Sequence, residues 1–327
     1  MRILKKNIEI NKTILSNFSY LAILEIFFLF APLITYPYLV RTLGMDLYGW
    51  VITAQITVSY ATVLIDFGFR RISAKYVASV KSDIIELSKV VSTVIALRVM
   101  LCIITFLIYL GVIYIIPSYR SQWMLFLFSY GLTLGSALFP DFYFQGIENM
   151  RYITVINIIS RLIFICSTFL IIKHSTQYVY VPLLWSAGYI LGGISSLYIV
   201  FKKHKVKFII PSLKDYKFHL KVTTPIFLSD VMLNLKNKFN YNLMGVMLGT
   251  SDVVIYDVGT KIVNLLAKPT QIFSSVIFPS MSRNPNVKKT KQIMLGLIVI
   301  SIFMVAIVYV FLPYIIKLFI NEAIDIL

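Results

Sequence analysis

Runs of about 20 or more apolar residues recur along this chain, and few folds can accommodate them. A helix rises about 1.5 Å per residue, so each run is long enough to cross a hydrocarbon core roughly 30 Å thick. In that medium every backbone N–H and C=O must be bonded within its own segment or in a closed barrel. Barrel strands alternate over about ten residues, whereas the runs here are continuous. Of 327 residues 58% are hydrophobic and only 14% charged, with mean hydropathy +0.83. A soluble domain would carry about a quarter charged residues. The predicted fold class is therefore an all-α integral membrane protein.

A window of about 19 residues places nine spans. They lie near 14–37, 48–68, 91–116, 122–144, 152–172, 178–201, 224–249, 252–279 and 292–316. Pro32, Pro37, Pro140 and Pro269 fall inside spans and predict kinks, because proline removes a backbone donor. The basic start resembles the leading region of a signal peptide. The apolar run after it is too long and lacks a small-residue cleavage site, so the first span is expected to be retained.

The Lys and Arg residues are distributed unevenly between the loops. The N-terminal tail and the second, fourth, sixth and eighth loops together hold 21 of them, seven between Lys202 and Lys221. The alternate loops and the tail after the ninth span hold only Arg41, Arg120, Lys173 and Lys317. Positive loops stay on the cytoplasmic side, so the N-terminus is expected there. The net charge of +17 then reflects topology and anionic headgroups, with no nucleic-acid partner implied.

Six cations remain within the spans: Arg98, Arg161, Lys236, Lys238, Lys261 and Lys268. The acids Glu25, Asp66, Asp230 and Asp257 accompany them. A charge at the bilayer centre costs about 2.5–3.5 kcal/mol on insertion scales, so it faces a cavity or a partner. Arg98 and Asp66 sit nearer span ends, where snorkelling to the interface is an equal reading. Helical spacing groups Asp257, Lys261, Asn264 and Lys268 on one face, and Gln55, Ser59, Thr62 and Asp66 on another. Asp230, Asn234, Asn237, Lys238 and Tyr241 form a third stripe, opposite Val231, Leu235 and Phe239. Such stripes line a hydrated cavity, or else hydrogen-bond between helices. The second reading suits Ser59 and Thr62 but not Lys261 and Lys268. A cavity richer in Lys and Arg than in acids favours an anionic group such as a diphosphate.

Other chemistries find no support. Cys102 and Cys166 lie within spans and form no CxxC pair; His174, His204 and His219 are scattered, without metal spacing. No Walker loop is present, and no cofactor is expected.

The segment 32–49, PLITYPYLVRTLGMDLYG, resembles the first-span exit of O-antigen flippases. These are the polysaccharide branch of the superfamily that includes multidrug exporters. Asp66-Phe67-Gly68-Phe69 is similar to that family's end of the second span. Residues 139–161, with Phe144-Gln145-Gly146, Glu148, Met150 and Arg161, are similar to its fourth-to-fifth connection. Read locally, Gly146 suits a residue just past a helix end.

The resemblance implies two six-helix bundles related by a parallel repeat: a complete bundle at 1–201, a basic cytoplasmic connector at 202–222 lying along the surface, and a partial bundle at 223–327. Leu43-Gly44 and Leu248-Gly249, each ending a span, are a faint trace of that repeat. The implied partners are an undecaprenyl diphosphate-linked oligosaccharide, membrane lipids and other O-antigen assembly proteins, and the implied location is the bacterial inner membrane. Arg98, Arg161, Lys236, Lys238, Lys261 and Lys268 would line the substrate cavity. Glu25, Asp66, Asp230 and Asp257 would be candidate carriers of a coupling ion.

The family has about twelve spans against nine here. A fragment or an early stop is the expectation over a working short form, since a half-built bundle would expose polar stripes to lipid. A polymerase or ligase would need a large external loop, and the predicted outer loops are short. A drug exporter of the same fold would need an acidic, apolar cavity.

Overall fold

The computed structural model describes residues 2–283 continuously, with side chains over 16–264 and 266–267, and isolated positions between 295 and 310. The predicted ninth span falls outside the continuous part. Eleven helices follow one another: α1 (Arg2–Leu43), α2 (Met45–Asp66), α3 (Phe69–Val80), α4 (Ile84–Ile115), α5 (Pro117–Ser121), α6 (Trp123–Leu138), α7 (Asp141–Gly146), α8 (Met150–Ile171), α9 (Tyr180–Tyr198), α10 (Leu213–Met247) and α11 (Thr250–Arg283). No strand occurs among the described residues.

Six helical stretches are long and apolar enough to cross a membrane: Ser16–Leu43, Met45–Val80, Ile84–Ile115, Trp123–Gly146, Met150–Ile171 and Ser175–Lys203. They coincide with the first six predicted spans. The predicted seventh and eighth spans lie within α10 and α11, helices of 35 and 34 residues. Their length suffices, but their stripes of charge and amide keep them from qualifying by apolarity, and both pack on α2.

Small residues let the first six spans close up, as packing in lipid requires. A Cβ on Gly135 would lie 2.6 Å from the Tyr189 Cβ, and one on Gly188 would lie 2.4 Å from the Ser160 carbonyl oxygen. Helix α9 is thus wedged between α6 and α8 at backbone distance.

Several boundaries differ from the sequence reading. Helix α2 stops at Asp66 because Phe67 and Gly68 take left-handed φ values of 43° and 72°. Arg70, Arg71 and Lys75, expected in a loop, then lie on α3, which buries Phe69, Ser73 and Val77. Pro140 breaks the fourth span between α6 and α7, as its missing N–H predicts, whereas α1 stays helical through Pro32 and Pro37. Gly146 is not a residue beyond a helix end. It closes α7, and a Cβ added there would fall 2.5 Å from the Val77 Cβ, so its absence makes room for that side chain. Glu148, at φ 58°, takes the left-handed position instead.

The connector is anchored on α4. Val206 is buried, and the Lys207 and Ile209 N–H groups donate to the hydroxyls of Ser88 (3.0 Å) and Ser92 (2.9 Å) on α4. Ser212 and Asp215 then form a capping box that starts α10 at Leu213, before the predicted 224. Lys89 pairs with Asp215 at 3.1 Å. The His204 Nδ1 lies 2.9 Å from the Tyr143 hydroxyl. Burial, and next the charge of Lys203, hold the His204 pKa below its ordinary value of 6.5.

Two outcomes follow. Gly188→Ala should lower the melting temperature of the detergent-solubilised protein by the equivalent of about 1–3 kcal/mol, while Gly111→Ala, with open space around it, should leave it unchanged. Because the folded state favours neutral His204, its contribution is present above pH 6.5 and lost as pH falls below it. Wild-type melting should therefore drop more between pH 7 and pH 5 than that of His204→Gln.

Candidate functional site

Three helix ends meet around one side chain, Arg98 in the middle of α4. Its exposure is 2%, so it does not snorkel. The left-handed turn after α2 leaves Asp66 facing it, and the break at Pro140 leaves the Phe139 carbonyl without a helical partner. Arg98 answers both. Its Nη1 donates to the Phe139 oxygen at 2.8 Å, and its Nη2 donates to Asp66 Oδ1 at 2.8 Å and Asp141 Oδ1 at 2.9 Å. Asp141 also pairs with Arg70 at 3.3 Å and accepts from the Phe142 N–H at 2.9 Å. One turn away Arg71 pairs with Asp230 of α10, beside Phe67 stacked on Phe227 with centroids 4.1 Å apart.

Two cavities adjoin this network and share Arg70, Ser136 and Asp141 as a common wall. The larger, about 370 Å³, lies between α2, α6 and α10 and is lined by Thr62, Asp66, Asp230, Asn234 and Asn237 among others. The smaller, about 300 Å³, lies between α1, α6, α8 and α9 and includes Glu25, Asn157, Ser160 and Tyr189. Of the cations predicted to line a cavity, Arg98, Arg161, Lys236, Lys238 and Lys261 line neither one; the walls carry carboxylates, amides and Arg70.

The other cations gather elsewhere. On α11 Asp257, 8% exposed, forms an ion pair with Lys261 and accepts from the Tyr241 hydroxyl at 3.0 Å. The Lys261 ammonium sits 4.4 Å from the centroid of the Tyr36 ring, and the Tyr36 hydroxyl donates to the Val254 carbonyl at 3.0 Å. Lys238 lies 5.3 Å from the Tyr241 ring. Arg161 stacks on Trp185 at 4.3 Å and on Phe164 at 5.1 Å. Its Nε is buried without a hydrogen-bond partner. Among the described residues no carboxylate pairs with Arg161.

The structure thus divides the predicted residues into groups. Arg98, Asp66 and Asp230 belong to ion-paired networks; Lys238, Lys261 and Asp257 gather around Tyr36 and Tyr241, and Arg161 stacks on Trp185 and Phe164. Glu25 lines the smaller cavity. Lys236 is exposed on the far side of α10, and the side chain of Lys268 lies outside the described residues. Asp141, Arg70 and Trp185 escaped the sequence reading. The Pro140-Asp141 step, a helix breaker followed by an acid, was the available signal for Asp141. No group of three or more His, Cys, Asp or Glu side chains that could hold a metal ion occurs among the described residues.

Removing one member of a buried charge network leaves the others unanswered, at about 3–5 kcal/mol. Arg98→Met should therefore lower the melting temperature sharply, and adding Asp66→Asn and Asp141→Asn should restore part of the loss.

Comparison with known proteins agrees with this architecture. The model of a family described as polysaccharide biosynthesis protein matches residues 14–285. The "Putative O-antigen transporter" of Escherichia coli (strain K12) is 24% identical over 279 residues, 85% of this chain and 67% of that one. A relative of the same description from Shigella dysenteriae is 26% identical over 280 residues, 84% of this chain and 69% of its own. No solved structure is a significant match. With most of the chain inside the family match, the protein belongs to the polysaccharide biosynthesis protein family.

Proposed function

We propose that this protein flips an O-antigen repeat unit, carried on undecaprenyl diphosphate, across the bacterial inner membrane by alternating access. The observation that carries the proposal is Arg161. A guanidinium on a membrane-crossing helix, stacked on Trp185 and lacking a carboxylate partner among the described residues, is a charge waiting for an anion. Lys261 and Lys238 supply further cations, held by aromatic faces and by Asp257. A diphosphate would be gripped there, while the polyprenyl chain stays in lipid.

Alternating access needs contacts that can break at either end. One end has the Arg71–Asp230 pair and the Phe67–Phe227 stack. At the other, Ser251 donates to Asp46, and Gly49 lies against the backbone of Thr250. The charge bias of the loops puts the first of these ends, with the N-terminus and the connector, in the cytoplasm. In this reading residues 1–201 and the unit beginning at α10 are the bodies that rock. Glu25, Asp66, Asp230 and Asp257 are the candidate carriers of a coupling proton or Na⁺.

A small-cation exporter is the second reading, favoured by the cavity carboxylates Glu25, Asp66, Asp141 and Asp230. Asp66, Asp141 and Asp230 are matched by Arg98, Arg70 and Arg71, which weakens it.

In cells lacking their own O-antigen transporter, the expressed protein should restore surface polysaccharide. Arg161→Ala and Lys261→Ala should each lower transport by about tenfold or more, the worth of a charge-assisted hydrogen bond. Lys217→Ala, an exposed change on α10, should not. Full transport by both cavity-side variants, or drug efflux in place of polysaccharide export, would remove the proposal.

A further inference from the structure

We infer that the two adjoining cavities beside Arg98 form a subsite for an uncharged sugar, separate from the cationic group that takes the diphosphate. The inference rests on the proposed diphosphate site and names what lies next to it. Ser160 lines the smaller cavity and Arg161 follows it on α8, with Asn157 one turn before. A sugar is bonded directly to its phosphate, so a diphosphate held at Arg161 brings the first sugar to this opening.

The lining fits hydroxyl and acetamido groups. Thr62, Ser136, Asn157, Asn234, Asn237 and Tyr189 offer both donors and acceptors around the two spaces. The Asn234 Oδ1 is buried with no hydrogen-bond partner, an acceptor that lacks a donor in the wall of the larger cavity. Leaving such an atom unpaired is costly, and a sugar hydroxyl or acetamido N–H supplies what is missing. Each cavity falls in the size range of small-molecule sites, about 300–1,000 Å³.

Charge narrows the class. Asp66 and Asp141 are answered by Arg98 and Arg70, and Asp230 by Arg71, so these carboxylates demand no cation. A uronic acid brought here would find no base to pair with, because Arg70, the base that lines both cavities, is already held by Asp141. The chamber therefore selects neutral sugars, while the diphosphate is held elsewhere.

The test uses the purified full chain in nanodiscs and three short-chain probes: farnesyl diphosphate, its N-acetylglucosaminyl conjugate and its glucuronosyl conjugate. The N-acetylglucosaminyl probe should bind about tenfold tighter than the sugar-free one, and the glucuronosyl probe no tighter. Asn234→Ala and Asn157→Ala should erase the sugar increment and leave farnesyl diphosphate binding intact. Equal binding of the first two probes to wild type, a preference for the glucuronosyl probe, or a full increment in both variants would overturn the inference. If farnesyl diphosphate fails to bind at all, the diphosphate site falls. The chamber is then judged by whether chitotriose, uncharged and phosphate-free, slows maleimide labelling of Asn234→Cys in a Cys166→Ser background. Protection supports the sugar subsite, and its absence overturns it.

Discussion

A guanidinium on a helix that crosses a hydrocarbon slab has to be answered by something, and the way each arginine is answered organises this molecule. Arg98 meets two carboxylates and one carbonyl. That single side chain makes two irregularities tolerable: the left-handed turn ending α2 and the break between α6 and α7. Non-helical backbone at membrane depth survives only where protein or water satisfies it, and here the Phe139 carbonyl is satisfied by Arg98. Arg161 is answered by aromatic faces alone among the described residues. A quadrupole attracts a cation without neutralising it, so Arg161 keeps its appetite for an anion while Arg98 has spent its own. The two residues look alike in the sequence and do opposite things.

The same logic explains why α10 and α11 stand where they do. Each carries a polar stripe that would be costly against lipid. Turned toward α2, those stripes find partners: Asn242 donates to the Tyr60 hydroxyl at 2.8 Å, and Tyr241 binds Asp257 inside the contact. Leu235 and Phe239, on the opposite face of α10, are left exposed as a lipid-facing surface would be. The cavity beside α2 is thus the space left where polar faces approach without filling every site, and the orphaned Asn234 oxygen marks it.

Much of this was legible beforehand. Apolar run length fixed six spans, because backbone satisfaction in lipid leaves no alternative to a helix. Of the stripe expected on α10, Tyr241 is buried, Asp230, Asn234 and Lys238 are partly buried, and Asn237 is exposed. The partners of the charges were another matter. Asp66, Asp141 and Arg98 are brought together by a turn at Phe67-Gly68 and a break at Phe139-Pro140, and hydropathy is blind to both. Counting Lys and Arg along the spans cannot show which of them are paired, because pairing is three-dimensional. The anchorage of the connector was hidden for a related reason: its lysines say nothing of Val206 or of the backbone N–H groups of Lys207 and Ile209 that bind it to α4.

The contacts at the two ends of the α2–α10–α11 interface are unlike in kind. At the Gly49 end the fit is between backbones: a Cβ on Gly49 would fall 2.1 Å from the Thr250 oxygen, and Gly44 and Gly249, at φ 79° and 124°, turn the two corners beside it. At the Arg71 end the hold comes from an ion pair with a half-exposed guanidinium and from one aromatic stack. An exposed ion pair is worth about 0–1 kcal/mol, since water solvates both charges once they part. Separating close-packed backbones forfeits many dispersion contacts at once and offers no such compensation. The Arg71 end is accordingly the easier one to open, and the larger cavity lies directly behind it, lined by Asp230 itself. A chamber whose weaker closure adjoins its own polar lining is arranged to admit a hydrated headgroup from that side.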